Sequence, residues 1–246
     1  MSAREGSAVP ALQSVSVSVG LGETLGIVGR SGAGKSTLAR CLACLELPDF
    51  GQIWFDGQNL LGLPAPQLIT ARRHIQLIFQ QSAATLNPRF SAIQVVTEPV
   101  TIARSVSKKE GRELGLRMME SVGLPREAAN RRCTEFSGGE RQRLAIARAL
   151  TLSPRVLVLD EALTGLDLLI QAQLVNLLLE LQASRSMTYI FISHDLPLTA
   201  HVADSIAVMH GGRVVEQGPA ERVLHDPQHP HTRDLLAAVA QLRIGT

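Results

Sequence analysis

Hydrophobic and polar positions change rhythm several times along this chain. Ser14 to Val19 alternates strictly between serine and valine, the two-residue period of a half-buried strand. Gly20 to Glu23 reads as a turn returning the chain into the apolar run Leu25 to Val28. Ser36 to Leu45 has helical spacing, Pro48 to Gly51 reads as a turn, and Gln52 to Phe55 as a strand closed by the tight turn Asp56-Gly57. A polar helix is predicted around Pro66 to Arg73 and a strand over His74 to Phe79. From Ser82 to about Thr134 the pattern changes: Asn87-Pro88 marks a loop, Lys108 to Val122 reads as a charged amphipathic helix, and the stretch looks like a helical insertion. A new helix opens at Ser137, Val156 to Leu159 is an apolar run of strand length, Gln171 to Leu181 carries leucines at helical spacing, and Thr188 to Ile192 is another buried strand. Ser205 to Val215, with Gly211-Gly212 at its centre, predicts a hairpin, and Arg233 to Leu242 a terminal helix. Strands alternating with helices, preceded by a β-layer, predict an α/β fold.

Composition narrows the function classes. The 246 residues suffice for a sizeable core, as one large domain or a domain with a lobe. A net charge of +2 and an aromatic content of 3% argue against a DNA or RNA partner. No uninterrupted apolar segment reaches about 18 residues, and Met1 to Ser7 lacks the apolar core of a signal peptide, so a cytoplasmic location is expected. Cys41 and Cys44 have C-x-x-C spacing, but they fall among Leu38, Leu42, Ala43 and Leu45 of a predicted helix, with only Cys133 besides. Small buried apolar residues are the better reading than a redox or zinc site.

The chemistry centres on Gly29-Arg30-Ser31-Gly32-Ala33-Gly34-Lys35-Ser36, which lies between an apolar strand and a helix that runs on through Thr37. Glycines let the backbone curl so that its N–H groups point at an anion, and the following helix N-terminus adds a favourable dipole. Lys35 brings a point charge toward the β- and γ-phosphates, and the Ser36 hydroxyl can ligate Mg²⁺. Asp160-Glu161 places two carboxylates at the exit of a strand that should be buried on both faces. In a parallel sheet that edge also carries the phosphate loop. Asp160 can hold Mg²⁺, and Glu161 can accept a proton from, or orient, the water that attacks the γ-phosphate.

His194, at the end of the next strand, can donate a hydrogen bond to the γ-phosphate; equally, His194-Asp195 can be a simple helix cap. Gln80, directly after Phe79, can touch Mg²⁺ or the water when a phosphate is present. Ser137 and Glu140 have capping-box spacing. Gly138 and Gly139 within that first turn each cost roughly 1 kcal/mol against alanine, so their missing side chains should serve the close approach of a ligand. One loop already wraps the phosphates, so this second surface can serve a nucleotide held by another copy.

Taken in order, Gly29 to Ser36, Gln80, Ser137-Gly138-Gly139-Glu140, Asp160-Glu161, Asp167 and His194 resemble the nucleotide-binding subunit of ATP-binding cassette transporters. Ser82 to Pro88 and His229 to Leu236 resemble the branch that imports oligopeptides, dipeptides or nickel. The resemblance implies a P-loop NTPase core with a mainly parallel sheet, an N-terminal antiparallel β-layer and a helical subdomain. The core would comprise about 1–80 and 152–246, and the subdomain about 82–151. It also implies a head-to-tail homo- or heterodimer with ATP and Mg²⁺ between subunits, each ATP held by one phosphate loop and the other chain's Ser137 motif, with Asp167 at the contact. Transmembrane permease subunits, and indirectly an extracytoplasmic binding protein, would be the partners at the cytoplasmic face of the membrane.

Two departures are visible. Family members usually have glutamine where this chain has Glu140, and residues 1 to 13 contain no aromatic to stack on adenine. Either an apolar residue near Leu12 takes that place, the start lies upstream, or the base is held weakly. A non-transport cassette ATPase would usually add a long coiled coil or a second cassette, and a sensing module would not need Lys35, Glu161 and His194 together.

Overall fold

A computed structural model of the chain describes residues 10–80, 85–103 and 106–244. The run from Leu25 becomes β1 (Thr24–Val28), whose five residues are all buried, as expected of a strand covered on both faces. It lies inside a six-stranded sheet with β4 (Ile75–Ile78), β5 (Val156–Asp160), β6 (Thr188–Ser193), β7 (Ser205–His210) and β8 (Arg213–Pro219), in the order β4-β5-β6-β1-β7-β8. Every pairing is parallel except β7 with β8, the predicted hairpin, which carries a bulge between Val208 and Met209. Val28 pairs with Ser193, and Asp160 with Ile192. The carboxyl ends of β1, β5 and β6 therefore open side by side on one edge, where α/β sheets bind ligands.

A second, two-stranded sheet pairs β2 (Trp54–Phe55) with β3 (Gln58–Asn59) in antiparallel fashion. Its turn is the predicted Asp56-Gly57, both at positive φ (52° and 75°), as a two-residue hairpin requires. The strand expected over Ser14 to Val19 is only half realised. Val15, Val17 and Val19 are half-buried and the serines exposed, in the predicted alternation, but among the described residues this segment forms no strand ladder. Alternation fixes which face is buried; pairing needs a neighbouring edge.

Helices cover the sheet: α1 (Lys35–Leu42), α2 (Ala65–Arg72), α3 (Ala92–Ile102), α4 (Lys108–Ser121) and α5 (Gly138–Leu150) precede β5. Then come α6 (Leu168–Arg185), α7 (Leu196–Val202), α8 (Ala220–His225) and α9 (Pro230–Ile244). In the stretch expected to be helical, α3, α4 and α5 pack on one another, and a core containing Val96, Met119, Leu144, Leu157 and Leu174 runs from them into the sheet. Gly115 allows α4 to lie close to α3, since a Cβ there would stand 2.5 Å from Thr97 Cγ2. Cys41, Cys44 and Cys133 are free and buried, and burial raises each thiol above its ordinary pKa, as inert apolar residues require.

Candidate nucleotide site

The loop between β1 and α1 is built by its glycines. Gly34 caps α1 at φ 96°, left-handed, and a Cβ there would stand 2.5 Å from the Ala11 carbonyl oxygen. Leu12, half-buried, lies against the same glycine. Arg30, Ser31 and Gly32 are exposed, and Thr37 is half-buried in the first turn of the helix.

Lys35 is only 5% exposed. Its ammonium donates to the carbonyl oxygens of Gly29 (2.8 Å) and Arg30 (3.2 Å) and lies 3.9 Å from Glu161 Oε1. Burial pulls its pKa below the ordinary lysine value, and the charges of Glu161 and Asp160 only partly offset this. Ser36 Oγ donates to Asp160 Oδ1 at 3.1 Å. Asp160 is buried, which raises its carboxyl despite the Ser36 hydrogen bond. This hydroxyl and carboxylate suit a hard cation of the Mg²⁺ kind, which takes few protein oxygens and completes its shell with phosphates and water. Among the described residues, no group of three or more His, Cys, Asp or Glu is placed to hold a metal ion.

Glu161 has φ 48°, a left-handed conformation that L-residues adopt against a cost of roughly 1 kcal/mol or more. Its N–H donates to the Ile192 carbonyl (2.9 Å), and its second oxygen lies 3.4 Å from His194 Nδ1. His194 is 55% exposed. The cap reading of this corner is met by Asp195, whose Oδ1 accepts from the Leu198 N–H (2.9 Å) at the start of α7, and the His194 imidazole stands beside Glu161. Lys35, Ser36, Asp160, Glu161 and His194 thus meet at one sheet edge. Gln80 stands exposed two residues past β4 at the same edge, and among the described residues no hydrogen bond ties it to Ser36 or Asp160.

The Ser137 motif makes its own local network. The Ser137 hydroxyl accepts from the Glu140 N–H (3.3 Å), and the Glu140 carboxylate accepts from the Ser137 N–H (2.8 Å), which closes the capping box. The Ser137 N–H, then burial acting against it, leave the Glu140 carboxyl below its ordinary pKa. No hydrogen bond or ion pair among the described residues joins this motif to Lys35, Asp160, Glu161 or His194.

The two glycines turn out to differ. A Cβ on Gly139 would come within 2.6 Å of Ile170 Cγ2, whereas one on Gly138 would meet nothing nearer than Leu166 Cδ2 at 3.9 Å. Packing inside the chain therefore explains Gly139, a contact no local pattern announces, and only Gly138 is left for a ligand to explain. Asp167, exposed, caps α6 through Oδ1 and the Ile170 N–H (2.9 Å).

A glycine loop between a buried parallel strand and a helix, with a buried lysine and a strand-end carboxylate beside it, defines a P-loop nucleoside triphosphatase. A family profile described as ABC transporter matches residues 12–164. The dipeptide transport ATP-binding protein DppF of Escherichia coli is 44% identical over 234 residues, 95% of this chain and 70% of that protein. The oligopeptide transport ATP-binding protein OppF of Bacillus subtilis is 42% identical over 94% of this chain and 76% of its own length. Among solved structures, a dimeric ATP-binding cassette, MJ0796, in a post-hydrolysis state bound to ADP and Pi superposes with a TM-score of 0.76 at 29% identity, over 85% of this chain and 90% of that one. The chain belongs to the ABC transporter family and is an ATP-binding ATPase cassette. Among the described residues, no helix is long and apolar enough to cross a membrane.

Proposed function

We propose that this cassette hydrolyses Mg-ATP at a site completed by a second cassette, and that hydrolysis drives peptide import through partner membrane subunits. The observation that carries the shared site is the capped N-terminus of α5, a ready anion surface that no hydrogen bond or ion pair among the described residues joins to the chain's own Lys35. Residues Gly29 to Thr37 wrap the phosphates, and Lys35 leaves its two loop carbonyls for the β- and γ-oxygens. Ser36, Asp160 and Gln80 would hold Mg²⁺, which supplies charge neutralisation on the phosphates when bound. Glu161 orients water and takes its proton as the new P–O bond forms and the bond to the leaving ADP oxygen breaks. His194 keeps Glu161 in place and donates to the γ-phosphate. Ser137, Gly138, Gly139 and Glu140 form the turn that faces the nucleotide on the other chain: the Ser137–Glu140 box closes it, and the Gly138 and Gly139 N–H groups, which the box does not use, point at the phosphates, with Asp167 at the contact.

An open groove of about 680 Å³, lined by Leu45, Ile69, Phe79, Leu86, Ile102 and Leu152, would lie where a core of about 1–80 and 152–246 meets a helical subdomain of about 82–151, the division proposed for this cassette. Ile69 and Ile102 are well exposed there, and the groove next to Gln80 is the surface for a permease segment at the cytoplasmic membrane face. Peptide rather than nickel is the cargo favoured, since the relatives' names specify dipeptides and oligopeptides. Pulling down the permease subunits and their external binding protein, and titrating that protein with peptides and with Ni²⁺, tests the cargo: saturable nickel binding without peptide binding reverses the assignment.

The two signature glycines give a separate test. Gly139→Ala drives a methyl into Ile170 and should destabilise the chain by about 1–3 kcal/mol in urea unfolding. Gly138→Ala should unfold within about 0.5 kcal/mol of wild type yet lose most ATP turnover. Full turnover in Gly138→Ala would remove the second phosphate surface.

A further inference from the structure

The loop that carries Glu161 runs from the end of β5 to Asp167, and it begins in a left-handed residue that its surroundings must hold in place. Two backbone bonds contribute: the Glu161 N–H to the Ile192 carbonyl, and the Thr164 N–H back to the Glu161 carbonyl at 3.1 Å. The third tether is a side chain from outside the loop. Gln171, the fourth residue of α6, donates its Nε2 to the Leu163 carbonyl at 3.0 Å. Its own N–H is committed to the Asp167 carbonyl (2.9 Å), so the amide reaches from a fixed backbone. Behind the loop lies a cavity of about 80 Å³, lined by Glu161, Gln171, Ser193 and His194 among others. That is room for a few waters, and for the loop to sag into.

We infer that Gln171 is a positioning residue for hydrolysis: through the Leu163 carbonyl it holds the 161–164 turn so that the Glu161 carboxylate stays between Lys35 and His194. The inference rests on the proposed role of Glu161. Because α6 also meets Gly139 through Ile170, one turn past its Asp167 cap, the same short segment touches both the turn aiming Glu161 and the helix that faces the other nucleotide. Small displacements of a reacting group are expensive: about 1 Å can cost roughly 100-fold in rate. The lysine, the glycine loop and Ser36 make no contact with Gln171 in this network, so ATP affinity should be spared.

The test compares Gln171→Ala with Gln171→Met, which keeps length and apolar contact but has no donor. In the full chain, both should lose about tenfold in kcat, with KM for Mg-ATP within about twofold of wild type. The Thr164 amide should exchange hydrogen faster in both, at unchanged Tm. Wild-type kcat in either variant, recovery in the methionine variant alone, or a KM that rises in step with the loss of kcat would each overturn the inference. So would faster Thr164 exchange with no loss of kcat. Exchange is read without turnover, so it still decides whether Gln171 holds the loop even if Glu161→Gln hydrolyses ATP normally and the role of Glu161 itself fails.

Discussion

Glu161→Gln should bind ATP at least as tightly as the wild type and hydrolyse it at least about 100-fold more slowly, the range lost when a general base is removed. The substitution suits this site because it changes charge and little else. Glutamine has the same length, keeps the Ile192 and Thr164 backbone bonds, and is no worse than glutamate at φ 48°. Lys35 loses a carboxylate 3.9 Å away but keeps both loop carbonyls, so the cradle survives. His194 Nδ1 retains an oxygen to bond. What disappears is the carboxylate beside Lys35 and His194, which unlike Asp160 is not hydrogen-bonded to Ser36. ATP then persists between the two cassettes, and a dimer should accumulate in light scattering with ATP and be absent with ADP. Steady-state phosphate release at the wild-type rate would refute the assignment, and binding lost together with turnover would assign Glu161 to the cradle instead.

Much of this site was legible because each part follows an unbroken apolar strand. Val28, Leu159 and Ile192 are buried, so a glycine loop, an acid pair or a histidine immediately after them can only emerge at the sheet's carboxyl edge. The Ser137–Glu140 box was equally plain, since capping is local chemistry set by spacing. Contacts between distant elements were not legible. The missing side chain of Gly139 makes room for Ile170, a reason the local pattern does not hold, and Gln171 reads as part of a helical leucine pattern until its amide is seen on Leu163. Helix α3 falls within the expected helical insertion but has no bounds of its own in the sequence pattern, because Val95-Val96-Thr97 favours strand and Pro99 breaks helical propensity. Its identity comes from the Ser91 cap and from packing on α4, where tertiary burial overrides propensity.

Lys35 explains why the energetics of the site must be read with the nucleotide in mind. Burial is the largest influence on its pKa, and it acts against the charge; Glu161 and Asp160 recover only part. A lysine whose folded pKa is depressed binds its proton less well folded than unfolded, so over the whole pH range below that pKa it works against folding. Under the proposed function, contact with the phosphates of ATP would offset that cost of holding Lys35 at 5% exposure. Lys35→Ala should therefore lose about 1.5–3 kcal/mol of charge-assisted hydrogen bonding to ATP, roughly 10- to 150-fold in affinity. The unliganded protein should melt no lower with Lys35→Met, which keeps the bulk of the stem. The clearest readout is linkage. ATP at 100 times the wild-type Kd stabilises a binding protein by about 2.7 kcal/mol, and in Lys35→Ala that should fall to about 0.3–1.4 kcal/mol, with a matching smaller Tm shift, while the shape of the unfolding curve is kept. An ATP titration with wild-type affinity would take the phosphates away from the loop after β1, and with them the roles of Ser36 and Asp160.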